Sequence, residues 1–305
     1  MRDMKKSFEV NKIVIPIDFS KTSKVALEHA ANLCKVFKSD LYLMHAFTTA
    51  NIEIFPNLNL GNTTFNDVRE AVSTELNTIG NEFREKYGVN VEIILKDGRP
   101  SRAIVETADE IGADMIVMGT HGVSGFEEFF LGSNAYKVVT SSKVPVFTIQ
   151  EGAGKVGYKR ILLPIDHSVR TRDKVSEAAY FAKAFGATIH IAALMNKEGK
   201  EQLPQMNLKI KQVEEYLENR GIAYENATLE GEDIADMTIE HAEKIDADLI
   251  FIMTEQEAAT GLFVGPYAQR LVNHSKVPVI SVTPIGIVKM FSQRQLGGGY
   301  HPFNF

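Results

Sequence analysis

Apolar residues along this chain fall into two alternating rhythms. Short, almost continuous runs rich in Val and Ile have the length of strands: "IVIPID", "LYLMHAF", "VEIILKDG", "ADMIVMGT" and "VPVFTIQ". Longer segments lie between them, with apolar positions recurring three and four residues apart, which predicts helices that bury one face. "SKTSKVALEHAANLCKVF" sets Leu27, Ala30, Ala31, Cys34 and Phe37 along roughly one stripe. "PSRAIVETADEIG" carries Pro100 in its first turn and Gly112 at its end, the usual punctuation of a helix. "DVREAVSTELNTIGNEFREKYG" and "NAYKVVTSS" read as further helices. Strands without a polar face, separated by helices, predict an α/β fold with a parallel sheet covered on both sides. In such sheets ligands gather beyond the carboxyl ends of the strands, so the residues just after each strand carry the interest.

The pattern then repeats. "NKIVIPIDFS" (11–20) returns as "KRILLPIDHS" (159–168), "GADMIVMGT" (112–120) as "DADLIFIMT" (246–254), and "SKVPVFTI" (142–149) as "SKVPVISV" (275–282). Three matches in the same order mean two tandem copies of one domain. The offset is 148 residues at the first block and 134 and 133 at the others, so the second copy is shorter in its middle. The expected divisions are a first domain over 8–151, a second over 156–284 and a tail over 285–305, joined by the Gly- and charge-rich "EGAGKVGYK".

Composition narrows the function classes. A net charge of −6 offers no basic field to nucleic acid or to an anionic membrane surface, and neither is expected as a partner. Nowhere do eighteen apolar residues run together, so no membrane span is expected, and the opening "MRDMKKSFEV" lacks the apolar run of a secretory signal. The single cysteine, Cys34, excludes an internal disulfide, and the expected compartment is the cytoplasm. Cys34 sits on the apolar stripe of its helix and reads as core. The eight histidines form no ligand spacing that would hold a metal.

The candidate chemistry lies in "MGTHGVSGFEEFFLGSNAYKVV" (118–139). Gly119, Gly122 and Gly125 follow the fourth strand at once and allow a ligand to approach the backbone. Gly132 and Ser133 stand before the next helix, whose N-terminus presents unpaired N–H groups and a partial positive charge suited to phosphate. Ser133 and Asn134 add side-chain donors or cap that helix themselves. The spacing is neither a Walker A loop nor a dinucleotide fingerprint. His121, inside the loop, has no acid or nucleophile beside it, and no catalytic residue is assigned.

Gly119-x2-Gly122-x9-Gly132-Ser133 resembles the G-x2-G-x9-G-[ST] nucleotide motif of the universal stress protein family, and "IVIPIDFS", "MHA" and "VPVFTI" are similar to that family in its order. The resemblance runs over both copies. It implies two five-stranded parallel-sheet sandwiches of strand order 3-2-1-4-5, of the adenine nucleotide alpha hydrolase-like kind. It also implies ATP at the ends of strands 1 and 4, any Mg²⁺ arriving with the phosphates. Carried over, Asp18 would face the adenosine and Ala46 would line the adenine pocket. Gly119 and Gly122 would pass beside the ribose and phosphates, and Gly132, Ser133 and Asn134 would hold the phosphates. Fifth strands of the family pair across a dimer interface, which implies an intramolecular pseudo-dimer here and leaves a further homo-dimer open. The function implied is a nucleotide-loaded regulatory module of the stress response. A slow ATPase or other adenine-nucleotide hydrolase, and an ATP-independent scaffold, stand as alternatives.

The second copy departs from the motif. Met253 stands for Gly119, Gln256 for Gly122, and Gly265-Pro266 for Gly132-Ser133, while Asp166 keeps the place of Asp18. Proline offers neither N–H nor hydroxyl, and Glu255 and Glu257 add negative charge, so one working site is expected, in the first copy. Since the scaffold recurs without the glycines, the ligand rather than the fold is expected to require them. Asp18 has a plainer role open to it, as a cap for the helix that follows.

Overall fold

A computed structural model describes residues 8–47, 65–120, 132–153, 156–196, 203–254 and 265–284. In the first copy the order is β1 (Lys12–Pro16), α1 (Lys21–Phe37), β2 (Asp40–Phe47), α2 (Phe65–Tyr87), β3 (Val91–Asp97), α3 (Pro100–Ile111), β4 (Met115–Gly119), α4 (Ser133–Ser141) and β5 (Val146–Ile149). The second copy repeats it: β6 (Arg160–Ile165), α5 (Val175–Phe185), β7 (Thr188–Asn196), α6 (Leu203–Glu218), β8 (Tyr224–Gly231), α7 (Ile234–Lys244), β9 (Leu249–Met253), α8 (Pro266–His274) and β10 (Val279–Val282). Helix ends follow the sequence signals. Pro100 opens α3 and Gly112 closes it at φ 62°, a left-handed conformation that glycine adopts without strain. Ser20 caps α1 by accepting from the Ser23 amide at 3.1 Å.

The ten strands form one sheet in the order β3-β2-β1-β4-β5-β10-β9-β6-β7-β8. Each copy therefore contributes 3-2-1-4-5, parallel throughout, and the two meet at an antiparallel seam between β5 and β10. Ile280 opposes Phe147 at its centre, flanked by Val279 against Thr148 and Ser281 against Val146. Thr148 Oγ1 donates to the Val279 carbonyl at 3.1 Å, and Thr283 Oγ1 to that of Ser142 at 2.9 Å. Pairing the two short fifth strands removes two open sheet edges at once.

Alternation along the strands divides the core into two layers. One gathers the apolar faces of α1, α2, α5 and α6, and the other those of α3, α4, α7 and α8. Both layers run through both copies. An aromatic group knits the first layer across the domain junction, with Phe37 of α1 stacked on Tyr180 of α5 at 5.0 Å and edge-on to Phe181 at 5.0 Å. The connecting segment is also tied down. Buried His29 bonds through its two ring nitrogens to the Tyr158 hydroxyl (2.7 Å) and the Ala153 carbonyl (2.9 Å). Cys34 is core, and burial pushes its thiol up to about 12. Among the described residues no helix is long and apolar enough to cross a membrane.

Candidate functional site

The carboxyl ends of β1, β2 and β4 and the start of α4 share one rim of the sheet, and the sequence-derived residues that the structure describes lie along it. Asp18 lies just past β1, with the Ile17 amide still bonded to the Met44 carbonyl of β2 at 2.8 Å. Ala46, near the end of β2, is buried and faces the α3–α4 layer. Gly119 ends β4. Gly132, Ser133 and Asn134 open α4, the last two exposed. Gly122, Gly125 and His121 lie outside the described residues.

Asp18 does not cap α1. Its carboxylate accepts from the Ser20 amide at 3.0 Å, a tight local turn that delivers Ser20 to the cap position. Asp166 makes the same turn with Ser168 at 2.9 Å, which gives both carboxylates a structural task independent of any ligand. Between Asp18 and Ser20, Phe19 holds a left-handed backbone (φ 65°), an unusual conformation for a bulky residue. Its ring lies 5.4 Å from that of His45. His45 is buried, bonds the Ile17 carbonyl at 2.7 Å through Nδ1, and is held below the ordinary histidine range by desolvation. Sequence reasoning missed Phe19 and His45 because a backbone dihedral and a ring contact leave no pattern in one chain.

Gly119 has a packing reason to be glycine. A Cβ there would come within 2.7 Å of Thr22 Cγ2 and 3.1 Å of the Thr22 backbone carbon. The first turn of α1 thus lies directly on the end of β4, too close for any side chain. Thr22 is a third residue the sequence did not expose, since its partner lies far along the chain.

The residues that flank 121–131 are bonded to each other. Gly132 donates its N–H to the Thr120 carbonyl at 2.9 Å, and the Thr120 amide bonds the Ile149 carbonyl at 3.0 Å. Gly265 and Thr254 repeat this closure at 3.0 Å in the second copy. Gly132 therefore serves a closure that both copies share. The copies diverge at the next residue. Neither Gly132 nor Gly265 supplies a side-chain cap, but Ser133 brings an N–H and a hydroxyl to the first turn of α4, where Pro266 brings neither to α8.

The rim of the second copy is rebuilt. Helix α1 starts at Lys21, but α5 begins only at Val175, the counterpart of Leu27; residues 169–174 form non-helical turns. Met253 replaces Gly119 there, so the close approach that Gly119 permits is not available. Two lysines hold the unwound stretch. Lys174, only 3% exposed, donates to the Thr171 carbonyl at 2.6 Å. Lys209 of α6 donates to the carbonyls of Asp166, His167 and Ser168 at 3.2, 2.7 and 2.9 Å. Burial pushes the Lys174 ammonium down to about 8, against the pull of Asp166 and Asp173. No group of His, Cys, Asp and Glu suited to a metal occurs among the described residues.

A family model described as the universal stress protein family matches residues 9–150 and again 157–283. Universal stress protein MJ0531 of Methanocaldococcus jannaschii is 33% identical over 147 residues, 46% of this chain and 82% of its own. Universal stress protein YxiE of Bacillus subtilis is 31% identical over 148 residues, 46% of this chain and 99% of its own. A solved universal stress protein from Archaeoglobus fulgidus superposes with a TM-score of 0.73 at 21% identity, covering 90% of this chain and 99% of that one, which speaks for the fold alone. With both halves matched in register with the repeat, the chain belongs to the universal stress protein family, as a tandem two-domain member.

Proposed function

We propose that the first copy binds an adenine nucleotide, ATP, at the carboxyl ends of β1 and β4, and that the second copy does not. The observation that carries the reading is the contrast at the start of α4 and α8. Ser133 and Asn134 present an exposed helix N-terminus with its N–H groups available for phosphate, while Pro266 deletes the first of them. Asp18 and Ala46 stand on the same rim and would take the adenosine end of the ligand. Gly119 and Gly122 would leave room for the ribose and phosphates between. Mg²⁺ would enter with the phosphates, as nucleotide sites commonly arrange. The domains are taken as 8–151 and 156–284, and the β5–β10 seam supports an intramolecular pseudo-dimer. The module is a nucleotide-loaded regulator in the stress response, with no residue assigned to catalysis.

The test begins with purified protein. Denaturation followed by mass spectrometry of the released small molecules is expected to yield an adenine nucleotide, and calorimetry of the emptied protein one ATP equivalent per chain. Absence of both would end the proposal. Two equivalents would show that the second copy retains a nucleotide site.

A further inference from the structure

Where the second copy loses the glycine cradle, it gathers positive charge. Residues 166–174 bring His167, Arg172 and Lys174 to the carboxyl end of β6, and Lys209 joins them from α6. Lys209 disfavours the charge on Lys174, and Arg172 that on Lys209, so the three cations share one small region. Asp166 and Asp173 offset part of that charge. Lys174 is fully enclosed, and its two hydrogen bonds go to the carbonyl and hydroxyl of Thr171, neither of them a carboxylate. Lys209 spends its donors on the carbonyls of Asp166, His167 and Ser168, in the turn that follows β6. These bonds fix the ammonium groups in place without neutralising them. Two further nitrogens, Arg172 Nε and His167 Nε2, are buried and have no hydrogen-bond partner. A buried polar nitrogen left without a partner is costly, and native structures retain few of them. The unmet Arg172 donor and the clustered positive charge call for the same thing, an acceptor carrying negative charge.

We infer that the second copy holds an oxyanion of the phosphate class at the carboxyl end of β6, contacted by Arg172, His167 and Lys174, with Lys209 positioning the turn. Carboxyl ends of parallel strands are where ligands of such sheets bind, and guanidinium with ammonium is a standard grip for phosphate. The site differs from a nucleotide cradle, using side-chain cations where the first copy offers glycine backbone and a helix N-terminus. It does not depend on ATP binding in the first copy.

Backbone amide shifts of the full chain, followed while inorganic phosphate is titrated, test the inference. Shifts are expected to concentrate at residues 166–174 and Lys209. Arg172→Gln should weaken phosphate by about tenfold, the loss of one charge-assisted hydrogen bond. Gly132→Val in the first copy should leave that affinity unchanged. AMP run in parallel separates the sources: tighter binding than phosphate at 166–174 names a nucleoside phosphate, and equal binding names free phosphate, each with the oxyanion site retained. Titration of the unmodified chain with no shift at 166–174, or shifts only at Ser133–Tyr136, would overturn the inference. So would wild-type affinity in both Arg172→Gln and Lys174→Met with the rest of the spectrum intact. Failure of ATP to bind at Ser133–Tyr136 would leave these results untouched.

Discussion

The same corner of the fold is built twice, and the two versions solve different problems. In the first copy Gly119 lets Thr22 descend onto β4, and α1 starts at Lys21. In the second copy Met253 occupies that place, the equivalent turn is unwound, and Lys174 and Lys209 satisfy the carbonyls that a helix would have used. A glycine in a ligand loop is easily credited to the ligand alone. Here Gly119 answers to a helix whatever the loop holds, and the internal repeat exposes this because both outcomes sit in one chain.

The strongest way to break the comparison is to install the second copy's residue in the first. Gly119→Met is expected to lower unfolding stability by about 1–3 kcal/mol in urea denaturation, since the new side chain overlaps the Thr22 backbone and the helix must shift. It should also abolish ATP binding. Unchanged stability would mean that the approach of α1 is set elsewhere.

Ser133→Pro transfers the other difference. Proline is tolerated at the first position of a helix, so thermal stability should hold, while calorimetry should find ATP affinity reduced about tenfold through loss of one N–H and one hydroxyl. Equal affinity in this variant would refute the assignment of α4 as the phosphate end.

The rebuilt corner gives a pH signature that the first copy lacks. Lys174 in the folded chain releases its proton near 8, whereas an unfolded lysine keeps it to about 10.5. Between those values the unfolded chain binds more protons, so stability contributed at this position rises with pH, and below 8 the full cost of a buried ammonium is present. Asp166 and Asp173 moderate that cost, and Lys209, beside Arg172, adds to it. Wild type should therefore gain on Lys174→Met by about 1 kcal/mol per pH unit above 8, read from urea midpoints. A constant difference between the two would place Lys174 in contact with water or with a bound anion.

Much of this architecture was legible because strand and helix periods dominate it. The runs "IVIPID" and "VPVFTI" became β1 and β5, and Pro100 and Gly112 bounded α3 as punctuation predicts. The repeat by itself exposes the substitutions at Met253 and Pro266. What stayed hidden depends on pairs distant in sequence. Thr22 against Gly119 leaves no local trace, and nothing in "DHSVRTRDK" announces that its helix starts late or that its last lysine is buried. Asp18 was legible as a rim residue but not as the maker of a turn, because a carboxylate after a strand suits either role.

The smallest expected effect concerns the connection between the copies rather than either rim. His29 is fully buried between Tyr158 and the Ala153 carbonyl, with the Phe147 ring edge-on at 6.1 Å, and desolvation lowers its pKa despite that carbonyl and Glu28. As pH falls below about 6.5 an unfolded histidine takes up a proton that the folded one resists. The stability His29 contributes is thus present above that value and declines as pH falls towards its folded pKa, by less than about 1 kcal/mol per pH unit. His45, His190 and His241 are lowered too, so the wild-type slope is a sum, and the difference between wild type and His29→Gln isolates this residue. Hydrogen exchange in mild acid should quicken at Ala153 and Tyr158 before it quickens at Val146–Ile149, because the β5–β10 seam contains no titrating side chain. Simultaneous quickening at both places would mean that the connection and the seam open as one unit.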